Sequence, residues 1–578
     1  MHDPVATMRK LSVPETVRPK LKKWVDQFGW WNPIRILVVT DEEIATGEFD
    51  GFGLGRVIKL LRETNVGCTS FTVDIAQRSL GVPTVVANPQ PFSPKYTGFQ
   101  FDMRAGGQPV IYGYHQIWIF GFKPGNDGGL DENIENPSSV PATDPELAVL
   151  TDWMDNRRGG VFATGDHDYL GASICHRIPR VSTMRRWTNA EGVPPISTSM
   201  RIDTLRPAVS GSFVVGSEGD SVAQPIEWVA WASVRAGWFY RKVRPHPVLC
   251  HPTLGPIDVM PDHPHEGLCF PDDQVDLTRS YDFDGSGPKL EYRVNVVGPQ
   301  VRPRVIAYGS TLPDPPYDFP KGEQPYRPRF PMMSVYDGHS VGCGRVATDS
   351  TWHHWFNLNI NQFALDDGPT WEKISRYYIN LALWLNPPGV LWPHWWGCYV
   401  VAQFGYAGFQ EFSPKMTTLE LGAATRNWFG ASYGPCWISQ FVFEVIAEFD
   451  EHLALRLFDD EIPRLAPERP WPPRPEPCLS CPSIEPIENF VLGGISRELV
   501  SFAGQLKEGL AAGKGFPKLA KDVVTDLVRS GAQHGLSEYR TDLAESVQKT
   551  TGLLNAWPEG TDGPGRPKPT VPKPKSKK

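Results

Sequence analysis

Residues 35–40, RILVVT, are an unbroken apolar, β-branched run closed by Asp41, Glu42 and Glu43. A strand with one wet face alternates, so an uninterrupted run predicts a strand covered on both faces. Residues 53–62 switch to helical spacing at Leu54, Val57, Ile58 and Leu61. Residues 71–76 and 116–122 return to the strand pattern. Thr143-Asp-Pro-Glu146 reads as a capping box with proline in the first turn, opening a helix with an apolar stripe of Leu147, Leu150, Trp153 and Met154. Gly159-Gly160 ends it, and a fourth strand follows at once. Short buried strands alternating in this way with helices predict a parallel sheet with helical cover.

Over residues 171–300 the periodicity weakens and Pro, Gly and Arg become frequent, which reads as a long insertion with short strands such as 212–216. The sheet resumes at 304–309, RVIAYG. A hairpin follows, from 332–336 to 344–348, around Asp337-Gly338. A helix over about 371–385 carries Ile374, Tyr378, Leu381 and Leu385, and Asn386-Pro-Pro388 stops it. The expected organisation is an extension at 1–32, an α/β domain at 33–387, an aromatic-rich helical segment at 389–460 (for example a helix at 438–449) and a Pro-rich linker at 463–489. Amphipathic helices at 490–556 and a disordered basic tail at 557–578 complete it. The 490–556 stretch reads as three helices, marked by Ile495, Leu499, Phe502, Leu506 and Leu510, then Val523, Val524 and Leu527, then Leu536, Tyr539, Leu543 and Val547. Such helices must pack on each other, on the body, on a second copy or on a protein partner.

At 578 residues the chain exceeds one ordinary core, so two or more domains are expected. A net charge of −8 argues against a nucleic-acid partner. No apolar run is long enough to span a membrane, and residues 1–20 lack the apolar segment of a signal peptide. The nine cysteines are scattered, and only Cys478 and Cys481 are closely spaced, so they read as reduced thiols of a cytoplasmic protein. Phosphate-loop and serine-elbow motifs are absent from the sequence.

Ligands of parallel sheets bind beyond the carboxyl ends of the strands. Asp41 and Glu42 stand at one such end. Thr164, Asp166, His167 and Asp168 stand at another, as GVFATGDHD. An imidazole between two carboxylates suits a general base or a metal ligand, whereas helix capping plus a packed histidine is the simpler alternative. A second group, Asp349, Thr351, Trp352, His353 and His354, follows the hairpin, with only one of the adjacent histidines expected to face a pocket in an extended segment. A third group, His263, His265 and Glu266, lies in the insertion. Together with His167 it forms a candidate site for a divalent ion such as zinc, iron or manganese; a loop closing over a pocket is the other reading.

The order of these pieces resembles the class I glutamine amidotransferase-like superfamily, and within it the ThuA-like branch. RILVVT is similar to its first strand, GGVFATGDHD to its Gly-Gly strand and sharp turn, and Gly342-Cys-Gly-Arg-Val346 to its late hairpin. The chain departs from the family by having Asp166 and His167, and no cysteine, at the turn. It also has DSTWHH where a His-x-Glu is expected, and Cys175 is too far on to replace the missing thiol. The resemblance implies a flavodoxin-like, three-layer parallel sheet with a long insertion, here followed by a mainly helical C-terminal region. The functional expectation is a hydrolase-like or isomerase-like enzyme acting on a small polar, sugar-related substrate. Asp166, His167, Asp168, Asp349, His353 and His354 would be catalytic; Asp41, Glu42, Thr164, Thr351 and Trp352 would contact substrate. The alternative is an inactive ligand-sensing module that recruits a partner through its C-terminal helices.

Overall fold

The computed structural model describes residues 33–42, 44–67, 69–123, 141–166, 169–188, 191, 205–207, 213–215, 223–235, 241–261, 267–294, 300–310, 329–391, 415–458, 484–511 and 521–556. The expected extension at 1–32, the thiols Cys478 and Cys481 and the tail at 557–578 lie outside these residues.

One mixed, mostly parallel sheet of 11 strands organises the chain. Its main strands are β1 (Ile34–Asp41), β2 (Thr69–Arg78), β3 (Gln116–Phe120), β4 (Gly160–Thr164), β5 (Arg304–Ser310), β6 (Arg329–Tyr336) and β7 (Val346–Asp349). The parallel strands lie in the order β2-β1-β3-β4-β7. β6 and then β5 extend the sheet antiparallel beyond β7. The hairpin expected around Asp337 is therefore the β6–β7 pair, with Tyr336 opposite Val346 and Met333 opposite Asp349.

Both faces of the sheet are dry, which is why its strands read as continuous apolar runs. Ile36, Val38, Trp118, Phe120 and Phe162 enter one core. Leu37, Val39, Ile117, Ile119, Val161 and Ala163 enter the other. Helix α1 (Gly55–Glu63) connects β1 to β2 and adds Val57, Ile58 and Leu61 to the first core. Helix α2 (Asp144–Asn156) connects β3 to β4 and adds Leu147, Leu150, Trp153 and Met154 to the second. The chain moves outward from β1 to one side and from β3 to the other, so crossovers of one hand place their helices on opposite faces. The capping box of α2 is formed, and Glu146 Oε2 accepts the Thr143 N–H at 2.9 Å. After β7, α3 (Asn357–Asp366) and α4 (Pro369–Trp384) return to the first face through Ile360, Phe363, Ile374 and Leu381. The described parts of the insertion include short two-stranded ribbons, such as Leu205–Pro207 with Phe213–Val215 and Ala230–Arg235 with Arg241–Pro245, the short helices Ala172–Cys175 and Val181–Met184, and a strand, Glu227–Trp228, that pairs with β5.

Among the described residues five helices follow: α5 (Thr418–Tyr433), α6 (Pro435–Ala447), α7 (Glu451–Phe458), α8 (Ile484–Ala511) and α9 (Lys521–Ala556). Two expectations change here. Helix α8 begins at Ile484, inside the stretch read as linker, because Ile484 and Ile487 are buried. The second and third helices expected after residue 520 are one continuous helix, α9. Helices α8 and α9 cross at glycine: a Cβ on Gly494 would lie 2.1 Å from the Gly531 carbonyl oxygen, and one on Gly535 would lie 2.0 Å from that of Phe490. The approach is backbone to backbone.

Candidate active site

Thr40, Phe120, Thr164 and Asp349 are register partners in one row across the sheet. The carboxyl ends of four parallel strands therefore lie at one level, and three of them present a polar side chain there. Asp349, the last residue of β7, is fully buried, and both its carboxylate oxygens are engaged. Oδ1 meets His354 Nδ1 at 2.8 Å, while Oδ2 accepts from Trp355 Nε1 and from the Tyr377 hydroxyl, both at 3.2 Å. Asp166, two residues past β4, is also fully buried. Its Oδ2 lies 3.2 Å from His353 Nε2, and its Oδ1 is 3.4 Å from the Thr351 hydroxyl. Asn359 Oδ1 stands 3.4 Å from the other nitrogen of His353.

The two histidines are not in an extended segment, as expected, but in a 3-10 turn, Trp352–His354, whose first residue follows the Thr351 cap. The Thr351 hydroxyl accepts the His353 N–H at 3.1 Å. A tight turn rotates successive side chains by about a third of a circle rather than a half, so both imidazoles face inward and each reaches its own carboxylate. Trp355 fixes the turn from below: its ring packs on Phe162 with centroids 4.5 Å apart, and the Tyr378 hydroxyl donates to the His354 carbonyl.

A cation that sequence reasoning did not single out ties the two strand ends together. Arg185 is fully buried. Its Nε donates to the Asp349 carbonyl at 3.0 Å, and Nη2 donates to the carbonyls of Asp166 and Ser350 at 2.8 and 2.7 Å. Its face covers Trp187 at 4.3 Å. Burial pulls the pKa of this guanidinium down, and the neighbouring Cys269 thiol and the Asp166 and Asp349 carboxylates oppose that pull. Gly165 is required at the turn because a Cβ there would stand 2.4 Å from the Leu170 carbonyl oxygen.

Asp41 is buried at the end of β1, and its Oδ2 accepts the N–H groups of Phe122 and Lys123, each at 2.7 Å. These two bonds brace the loop that follows β3. It still adjoins the site: Phe122 and Phe52 both pack on Trp352, with centroids 6.1 and 5.1 Å apart. Thr164 donates to the Asp349 carbonyl at 3.3 Å, which binds β4 to β7. Glu42 is exposed and is not brought into the cluster. His167, Asp168, His263, His265 and Glu266 lie outside the described residues. Among the described residues no group of three or more His, Cys, Asp or Glu side chains is placed to hold a metal ion.

A cavity of about 310 Å³ opens at the opposite edge of the sheet, beside the residues that precede β4 and β7, and its lining includes Arg158, Asp337, Arg345 and Glu444. Arg345 is buried there between Asp337 and Glu444. This ion-paired edge is remote from the row of carboxyl ends. Compared with family models, with curated proteins and with solved structures, the chain finds no match in any of the three.

Proposed function

We propose that the chain is a hydrolase-like or isomerase-like enzyme that moves protons on a small polar substrate at the carboxyl edge of its sheet. The observation that carries this reading is the pair of carboxylate–imidazole contacts, Asp349–His354 and Asp166–His353, at the ends of two adjacent parallel strands. Asp349 holds the Nδ1–H of His354, which makes Nε2 the basic nitrogen of that ring. His354 then acts as general base and Asp349 orients it. The second pair carries or returns the proton. A buried carboxylate beside each ring stabilises the imidazolium that forms during proton transfer. The aromatic wall of Trp352, Phe52 and Phe122 suits the apolar face of a sugar-related ligand. The strand order β2-β1-β3-β4-β7 supports the flavodoxin-like reading, and with it the amidotransferase-like resemblance.

The test is turnover by the full chain of a panel of carboxamides, glycosides and phosphoesters, and of aldoses for isomerisation. Any activity found is expected to fall at least about 100-fold in His354→Gln, in line with the loss of a general base, with the helical circular-dichroism signal retained. A folded His354→Gln variant with wild-type turnover overturns the assignment.

A second reading, a ligand-sensing module that recruits a partner, is favoured by one observation. Residues 541–556 of α9 are exposed, including Leu543, Val547, Leu553 and Leu554. Absence of turnover on every substrate class, with a partner or second copy held by this helix end, supports that reading.

A further inference from the structure

The cavity beside the amino ends of β4 and β7 lies at the other end of these strands from the candidate active site, and nothing in that site uses it. Its volume of about 310 Å³ is that of a small-molecule pocket. Three segments meet around it: the end of α2, the β6–β7 turn and the last turn of α6. Arg158 follows α2 with a left-handed backbone, φ 55°, while the Gly159 N–H bonds back to the Trp153 carbonyl at 3.2 Å. Glycine is the usual residue at such a helix end, and an arginine there carries strain. Its side chain is exposed at the cavity and has no ion-pair partner among the described residues.

His339 lines the same cavity from the β6–β7 turn. Both its ring nitrogens are buried, and neither has a hydrogen-bond partner among the described residues. Burial and the Arg345 charge hold this imidazole well below its ordinary value, with Arg158 adding to them and Asp337 opposing. The ring is therefore neutral, with one N–H to donate and one lone pair to fill. Buried polar atoms without partners cost free energy that a bound group recovers. The cavity also carries negative charge. Arg345 is committed to Asp337, at 3.0 Å, and to Glu444. Glu448 stands four residues beyond Glu444, and both line the cavity. Like charges at that spacing repel. The Glu448 carboxyl is accordingly raised, first by burial and also by Glu444, against Arg529 and Arg158, and its ion pair with Arg529 of α9 is long, at 3.9 Å. Phe443 adds an apolar wall.

We propose that this cavity binds a small zwitterion of the free amino acid class. Its carboxylate is held by Arg158 and the His339 N–H, its ammonium group lies by Glu444 and Glu448, and its side chain packs on Phe443. A guanidinium without a partner and an imidazole N–H without an acceptor together call for a carboxylate. Two carboxylates on one helix face call for a cation. A dianion such as phosphate meets repulsion from Glu444 and Glu448, and an amine alone leaves Arg158 and His339 unfilled. One ligand bearing both charges satisfies all four groups.

The experiment melts the full chain with each standard L-amino acid in turn at about 10 mM, since a ligand of the folded state raises the melting temperature. Calorimetric titration then follows any that shift it. At least one is expected to bind saturably with a Kd below about 1 mM. The same molecule without its amino group, or without its carboxylate, is expected to bind at least about tenfold more weakly. Arg158→Gly is expected to weaken binding by at least about tenfold while the unliganded chain melts no lower than wild type, because glycine suits the left-handed position. Loss of binding in that variant is then not loss of fold. Glu448→Gln is expected to weaken binding as well. The proposal is overturned if no amino acid binds, if Arg158→Gly binds as wild type does, or if the deaminated acid or inorganic phosphate binds as tightly as the amino acid.

Discussion

At the scale of single residues, the candidate site is a set of buried polar groups that hold one another. Asp349 has partners from three different segments, and Arg185 reaches it across the insertion. Replacing Arg185 by methionine takes away the donor of the Asp166 carbonyl, removes one donor from the Asp349 and Ser350 carbonyls, which keep Thr164 and Gly267, and leaves two carboxylates without their nearby cation. Each orphaned buried group costs about 1–3 kcal/mol, so Arg185→Met is expected to lose at least about 3 kcal/mol in urea unfolding. A loss under 1 kcal/mol would contradict the bracing role. Asp166, Thr351, His353, His354 and Asp349 were legible beforehand because strand ends of a parallel sheet are where polar clusters signal a site. Arg185 was not legible. It sits in MRRW with no pattern around it, and only the fold brings it beneath β7.

At the scale of elements, periodicity located the strands and most helix starts, yet it split α9 in two. The stripe through Val524, Leu527, Leu536 and Tyr539 is broken at Gly531 and Gly535, which read as gaps. In the structure those glycines are the contact with α8. A side chain at Gly531 would come within 2.5 Å of Ile495 Cα. Gly531→Leu raises helix propensity by about 1 kcal/mol and still is expected to destabilise, because the helices must separate. The check is thermal unfolding beside Gly552→Leu, whose Cβ meets open space. Gly531→Leu should melt several degrees lower and Gly552→Leu no lower than wild type. Equal melting of the two variants would refute the packing argument.

At the scale of the molecule, buried ion pairs join the sheet to α2 and α2 to the insertion. Arg78 on β2 holds Glu146 of α2, and Arg180 holds Asp155. Burial alone would raise both carboxyls. The hydrogen bonds and charges of Arg78 on Glu146, and the charge of Arg180 on Asp155, outweigh it, so both stand below their ordinary values. A folded-state value below the unfolded one stabilises the fold above the unfolded pKa of about 4, and that contribution is lost as pH falls through the folded-state value. The contribution of these two carboxyls is therefore expected to be level from pH 7 to about 5 and to be lost below about pH 4. Glu146→Gln should flatten the drop while lowering stability at pH 7 by about 3 kcal/mol, since it leaves the buried Arg78 charge unpaired. Urea midpoints measured from pH 3 to pH 7 check both statements; midpoints independent of pH would reject them.

The sequence alone determined the alternation of buried strands and helices, the β6–β7 hairpin, the capping box of α2 and the strand ends that carry the polar cluster. These features are local: they depend on side-chain period, turn chemistry and capping within a few residues. The tertiary structure decided what local pattern cannot encode. It aligned Thr40, Thr164 and Asp349 in one row, gave each histidine its own carboxylate and set Arg185 under two strand ends. It also let α8 and α9 touch through glycine. All of these join residues distant along the chain, and their partners are selected by packing and by the cost of leaving a buried polar group unpaired.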